Sequence, residues 1–329
     1  YEAMKKDAIV IPPKYAPGRD GLKAYNDKGY VPYPDYKEAT SKTLEYAYDD
    51  FCIMQMAKKL NQVDDIEIYR EKAFNYKNVF DPQVNFMRGR RSDGSWYEPF
   101  DPIEWGGPFT EGNAWHYNWS VFHDVDGLIK LMGGRQRFTT KLDSVFIIPG
   151  EFKVGTYERV IHEMKEMVLN AMGQYAHGNQ PIQHMPYLYS YAGQPWKTQK
   201  HVRAIMEQLY RPGPNGYAGD EDNGAMSSWY LFSAMGFYPV CPGQASYTLG
   251  APLFRKVTIN LQNGNQFVIE APENNSQNFY VESVELNGNG ISRNWISHDE
   301  IIQGGKLSFE MDNKPNRKRG VDDEDQPFS

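Results

Sequence analysis

Apolar residues recur at the spacing of a helix along most of this chain, and at the spacing of a strand near its end. In the stretch 38–60, "EATSKTLEYAYDDFCIMQMAKKL", Leu44, Ala47, Tyr48 and Phe51 fall at i, i+3, i+4 and i+7. Ile53, Met56, Ala57 and Leu60 form a second stripe on a rotated face. A helix apolar on two faces is packed on two sides, as in a double ring of helices. Phe122, Val125, Ile129 and Met132 predict a helix that stops at Gly133-Gly134. Val202, Ile205, Met206 and Leu209 predict another, stopped before Pro212. Between them, roughly 81–113, 173–196 and 211–226, lie segments rich in Gly, Pro, Trp and charge that read as long loops. Loops of that length inside a compact domain are functional or disordered, and their aromatic content argues against disorder.

After residue 245 the period falls to two. Val257, Ile259 and Leu261 alternate, Asn263-Gly264 has the composition of a hairpin turn, and Phe267 and Ile269 alternate again. Further strands are expected around Val284 and Leu286, and around Leu307, Phe309 and Met311. The pattern predicts a mainly α region over 1–244 and a small antiparallel β unit over 245–329.

Composition narrows the class without fixing it. The 329 residues, 40% of them hydrophobic, allow a large core in one big domain or two smaller ones. A net charge of -7 offers no basic face for nucleic acid, and no apolar run reaches membrane-spanning length. Cys52 and Cys241 lie far apart, and Cys52, inside an apolar helical pattern, is expected to be a buried free thiol. Seven Trp and 23 Tyr supply flat rings that suit sugar faces, or simply a Tyr-rich core. "YEAMKKDAIV" starts as though already inside a helix, so the chain reads as a piece of something longer, and the missing signal peptide says nothing about compartment.

Three acids in a row, Asp220, Glu221 and Asp222, stand in "GYAGDEDNGAMSSWYLFSAMGFYPV". A calcium loop of the EF-hand type fails here, because from Asp220 the fifth position is Gly224 and the twelfth is Leu231. A solvated turn remains open, but Gly219 and Gly224 bracket the acids and an apolar helix follows at once, so the loop is pinned. Carboxylates held close in this way suit acid/base chemistry. A second acidic position, Glu111, sits in "EWGGPFTEGNAWHYNWS" among Trp105, Trp115 and Trp119. It reads as the first turn of a helix capped by Thr110, as a proton donor raised by its apolar setting, or as both.

"VIHEMKEMV" approaches the zinc-protease pattern H-E-x-x-H, but Glu166 holds the last place, which rejects it. Glu163 and Glu166 could offer oxygens to a hard cation or lie on a solvated helix face. "GQYAHGNQPIQHMPYLY" gathers His177, Asn179, Gln180, Gln183 and His184, suited to hydroxyls or a cation, or to a loop satisfying its own backbone. Trp196 and Lys197 in "GQPWKTQK" read as pocket walls or as the start of a helix.

Taken together, "GYVPYPDYKEATSKTLEYAYDD", "GRRSDGSWYEPFDPIEWGGPFTEGNAWHYNWSV", "DSVFIIPG", "YAHGNQPIQHMPYLY", "AGQPWKTQK" and "GDEDNGAMSSWYLFSAMGFYPV" resemble the exo-acting α-mannosidases of glycoside hydrolase family 92. The resemblance covers nearly the whole chain. It implies an inverting, calcium-dependent hydrolase acting on mannose-containing glycans such as N-glycans or mannans. It also implies that residues 1–244 are the later helices of an (α/α)6 barrel, associated with a β-sandwich. The family's N-terminal β domain and early barrel helices would precede Tyr1 and act as partner to this part. A secreted, periplasmic or cell-surface bacterial location is implied.

Residue by residue, Glu111 matches the family's general acid, and Asp220 and Asp222 match its pair of base aspartates. Glu163, Asn179, Gln180 and Asp222 are the implied calcium ligands, with Glu166 in reserve. Trp115, His162, His177, Trp196 and Lys197 are the implied substrate contacts. The chemistry agrees: an inverting glycosidase needs one protonated carboxyl at the leaving oxygen and one carboxylate activating water on the opposite face. Two other enzymes, a glycoside phosphorylase or an α-glucosidase on a similar barrel, are the alternatives, as is a non-catalytic glycan-binding protein.

Overall fold

The computed structural model describes residues 1–13 and 18–329. The chain divides into two compact units: Tyr1–Met132 with Ser144–Ala176, and Gly133–Asp143 with His177–Ser329.

The first unit is built on the long helix Ala39–Lys59, which packs against the helix Val63–Ala73. Leu44, Ala47 and Phe51 of the first stripe and Ile53 and Ala57 of the second are buried. Met56 is only half-buried and Leu60 is exposed, so the second stripe fades toward the helix end. The same helix buries Asp50 completely, and that is tolerable because the Arg19 guanidinium sits 2.7 Å from its carboxylate and the Tyr25 hydroxyl donates to it at 2.9 Å. Cys52 is a free thiol, half-buried rather than buried, because it sits at the flank of the apolar stripe. The helix Val125–Leu131 forms as its spacing predicts, capped by the Asp124 carboxylate, which accepts from Gly127 N.

In the second unit, the helix Pro195–Leu209 starts on a proline, whose missing N–H is no loss in the first turn, and buries Val202, Ile205 and Met206. The stretch 173–196 is not an open loop. It holds the short helical turns Gln180–Gln183, Met185–Tyr187 and Leu188–Tyr191, most of them buried. Each is too short to show a period, and so the sequence reads as loop. Cys241 is buried.

The strands that follow form two sheets. Phe237–Tyr238, Ser246–Leu249 and Trp295–Ser297 pair antiparallel. The larger sheet runs, in spatial order, Lys256–Asn260, Gln266–Glu270, Gly305–Asp312, Tyr280–Leu286, Asn289–Gly290. Its first pair is the expected hairpin, with Gly264 at φ +86 and the Asn263 side chain accepting from Asn265 N at 3.0 Å. The expectation of a purely antiparallel unit fails at one seam, where Gly305–Asp312 lies parallel to Gln266–Glu270 and antiparallel to Tyr280–Leu286. Alternation fixes which side chains face inward and leaves strand direction open. Phe267, Ile269, Val284, Leu286, Leu307, Phe309 and Met311 point into one core. Among the described residues, no helix is long and apolar enough to cross a membrane.

Candidate active site

In the first unit, Glu111 stands outside the helix it was expected to begin. That helix, Ala114–Tyr117, starts at Asn113 rather than at Thr110. The buried Asn113 side chain accepts from Trp115 N at 3.0 Å and His116 N at 3.3 Å, while His116 Nδ1 accepts from Asn113 N at 3.3 Å. Both Thr110 and Asn113 can cap a helix, and the backbone at Glu111 decides between them: its φ is +44, which breaks the helical path.

A second layer holds Asn113. Its Nδ2 donates to Gln174 Oε1 at 3.2 Å, and Gln174 Nε2 donates to the carbonyls of Pro149 and Glu151, each at 2.8 Å. His116 Nε2 faces the Gln174 carbonyl at 3.0 Å, so Nε2 carries the proton and Nδ1 is the acceptor. Burial pushes the His116 pKa down to about 3, which keeps the ring neutral in that role.

Glu111 itself is exposed within its unit, whereas Trp105, Trp115 and Trp119 are buried. The indoles thus support the loop from the core; Trp105 lies edge-on to His116 at 4.9 Å and Trp115 edge-on to Phe86 at 4.8 Å. The backbone N–H of Glu111 donates to the Tyr157 hydroxyl at 2.7 Å. Tyr157 also walls a cleft of about 420 Å³ with Tyr33, Lys37, Glu38, Gly107 and Thr156. Rings, a carboxylate and an ammonium in one cleft suit a sugar's faces and hydroxyls.

His162, exposed at the start of the helix His162–Asn170, reaches both neighbouring acids: Nε2 lies 3.1 Å from Glu163 and Nδ1 3.0 Å from Glu166. Glu163 is nearly buried, and its Oε2 has no hydrogen-bond partner among the described residues.

In the second unit, the three consecutive acids part company. Asp220 and Asp222 are exposed, while Glu221 turns inward. The Glu221 carboxylate accepts from Ser227 N at 3.2 Å and so caps the helix Ala225–Met235, whose first residues would otherwise leave that N–H unpaired. Asp222 and Asn223 both take left-handed φ, +50 and +57, before Gly224 at +93. The Gln180 amide donates to Asp222 Oδ2, and buried Asn179 precedes it at the head of the turn Gln180–Gln183.

His177 is fully buried rather than open to a ligand. Its Nε2 lies 2.8 Å from the Tyr210 hydroxyl, its ring sits edge-on to Trp229 at 4.4 Å, and burial lowers its pKa to about 3. Trp229 Nε1 donates to the Gln183 carbonyl at 2.8 Å, which joins this aromatic layer to the Gln180 turn. Trp196 and Lys197 prove to be the start of a helix. Lys197 Nζ lies 2.6 Å from Asp143, which also accepts from the Tyr189 hydroxyl at 2.9 Å, so this ammonium has a structural partner.

In the second unit Asn179, Gln180 and Asp222 present side-chain oxygens, and in the first, taken by itself, Glu163 presents a buried carboxylate oxygen with no hydrogen-bond partner among the described residues. That donor chemistry fits a hard cation such as calcium and does not suit zinc. Among the described residues no group of three or more His, Cys, Asp or Glu is placed to hold a metal. Sequence reading missed Gln174, Tyr157 and the capping role of Glu221. Only Glu221 carried a signal, an acid just ahead of an uncapped helix.

Comparison with known proteins adds the following. The model of the glycosyl hydrolase family 92 catalytic domain matches residues 1–313. An uncharacterized secreted glycosidase of Arthroderma benhamiae is 29% identical over 94% of the chain, which spans 41% of that protein. An inverting mannosidase of family 92 from Bacteroides thetaiotaomicron is 52% identical, with a TM-score of 0.90 over the whole chain and 45% of its own. An α-mannosidase of the same family and organism, solved in complex with mannoimidazole, is 38% identical, with a TM-score of 0.91 over the whole chain and 42% of its own. The chain spans less than half the length of each of these relatives.

Proposed function

This chain belongs to glycosyl hydrolase family 92, and from that premise we propose that it carries the acid and base of a calcium-dependent, inverting exo-α-mannosidase. The substrate class is α-mannosides such as N-glycans or mannans, cleaved at the non-reducing end. The helical region is proposed as part of an (α/α)6 barrel completed by the portion of such proteins that this chain does not span. A secreted, periplasmic or cell-surface bacterial location follows from the same reading, and the secreted relative from Arthroderma benhamiae supports secretion alone.

One observation carries the proposal: the three carboxylates that match the family's acid and base are exposed, and two of them, Glu111 and Asp222, sit on left-handed residues in tied-down loops. Strain of about 1–3 kcal/mol at such a residue persists where function or surrounding structure requires it. In the reaction, Glu111 protonates the departing glycosidic oxygen. Asp220 and Asp222 take the proton of a water and orient it, and inversion requires a gap of roughly 6.5–9.5 Å between acid and base to admit that water. Glu163, Asn179, Gln180 and Asp222 are the proposed calcium ligands, with Glu166 in reserve; calcium, if bound, would supply a positive charge able to hold sugar hydroxyls.

The test compares two variants of the full-length enzyme on two substrates. Glu111→Gln should lose about 10²–10⁴-fold on a natural mannoside and far less on an aryl mannoside whose acidic leaving group departs unaided. Asp222→Asn should cripple both. The first mannose released should be the β-anomer. Release of the α-anomer, a requirement for phosphate, or equal losses for Glu111→Gln on both substrates would overturn the assignment.

A further inference from the structure

We propose that Tyr157 is a positioning residue for the general acid, holding the Glu111 peptide in its left-handed turn through the Tyr157 hydroxyl. The inference rests on the mannosidase reading and adds to it a residue outside the acid, the base and the calcium set.

A glutamate at φ +44 stays there only where its surroundings over-determine it. Around Glu111 the peptides are fixed one by one. Thr110 N donates to Ser41 Oγ at 3.0 Å, and the Thr110 carbonyl accepts from the Tyr117 hydroxyl at 2.7 Å. Gly106 N closes the loop onto the Gly112 carbonyl at 3.0 Å. That leaves the peptide of Glu111 itself, and its N–H goes to Tyr157 at 2.7 Å.

Tyr157 can serve as an anchor because the segment that carries it is zipped to the segment leading into the loop. Lys153 N donates to the Ile103 carbonyl and Trp105 N to the Lys153 carbonyl, each at 3.0 Å. Gly107 N then donates to Thr156 Oγ1 at 2.7 Å. Gly106 completes the fit: a Cβ there would meet Thr156 Oγ1 at 2.4 Å and the Tyr157 ring at 3.0 Å, so only glycine admits the ring. The hydroxyl therefore arrives at Glu111 on a braced backbone.

Burial raises the Tyr157 pKa above its ordinary value, the Glu111 N–H works the other way, and the charges of Glu111, Glu38 and Glu163 add to the rise. The phenol thus stays neutral as an acceptor for the peptide. Removing the hydroxyl frees the Glu111 peptide while leaving the ring in the cleft wall. A misplacement of about 1 Å at a catalytic group can cost on the order of 10²-fold in rate.

The experiment measures kcat and KM of Tyr157→Phe in the full-length enzyme, beside Glu111→Gln, on a natural mannoside and on an aryl mannoside with an acidic leaving group. For Tyr157→Phe, kcat on the natural substrate should fall by roughly 10- to 100-fold with KM within about twofold. The aryl substrate should lose less than about threefold, the same leaving-group dependence as Glu111→Gln. A crystal structure of Tyr157→Phe should show Glu111 out of its left-handed turn. If Glu111→Gln shows the dependence and Tyr157→Phe does not, or loses both substrates equally, the positioning role falls and the mannosidase reading stands. If Glu111→Gln itself lacks the dependence, the acid assignment falls and takes the positioning role with it.

Discussion

Replacing Asn113 by alanine attacks the support of the acid loop without touching the acid. Asn113 is fully buried and makes two kinds of bond: its oxygen caps the helix Ala114–Tyr117, and its nitrogen serves Gln174 Oε1. Loss of the cap costs about 1 kcal/mol. Leaving Gln174 Oε1 buried without its donor costs about 1–3 kcal/mol more. Gln174 has no easy escape, because turning its amide over would sacrifice the bonds from Nε2 to the Pro149 and Glu151 carbonyls. The sum is roughly 2–4 kcal/mol. Denaturant unfolding of the full-length protein reads it as a lower midpoint at unchanged slope, and hydrogen exchange over residues 105–117 assigns the transition to this loop. A double-mutant cycle with Gln174→Ala should return a coupling above about 0.5 kcal/mol, as expected for groups in contact. A drop below about 0.5 kcal/mol for Asn113→Ala, with exchange unchanged, would refute the reasoning.

Two further outcomes follow. Buried His116 and His177 have folded pKa values pushed down to about 3, below the roughly 6.5 of an unfolded chain, so the unfolded state takes protons first as pH falls. Their contribution is intact above about pH 6.5 and drains below it, by up to about 1.4 kcal/mol per pH unit for each ring; a denaturation midpoint that is flat from pH 7 to 5 would contradict this. Chelation should abolish activity of the full-length enzyme and lower its melting temperature, with calcium and not zinc restoring both; full activity in excess chelator would remove the metal from the proposal.

The long periodic elements were legible in the sequence because periodicity reports burial directly: Leu44, Ala47 and Phe51, or Val202, Ile205 and Met206, repeat often enough to name a buried face. The turns from Gln180 to Tyr191 do not, since each offers only three or four positions. Strand direction at Gly305–Asp312 was hidden for another reason. Alternation is the same for parallel and antiparallel neighbours, and the partner Phe267 is remote in sequence. At the site, motif alone singled out Glu111, Asp220 and Asp222, while the left-handed backbone of Glu111 and Asp222 was not legible, because a residue type does not by itself announce a positive φ. His177 looked like a ligand contact because its cover, Tyr210 and Trp229, comes from later in the chain.

The strand Gly305–Asp312 occupies the middle of the larger sheet although it is the last of the strands to be made. On a ribosome, the hairpins on either side of it emerge first and wait, each with its inner edge still open to pairing with any other strand. Folding of this sheet therefore waits for synthesis of Gly305–Asp312, and long-range parallel pairing makes that step slow. Any chain that stalls or is clipped before Gly305 keeps both edges bare. Such a fragment carries its own mark of incompleteness, a surface that a chaperone or protease recognises in an unfinished product and that the finished one has hidden.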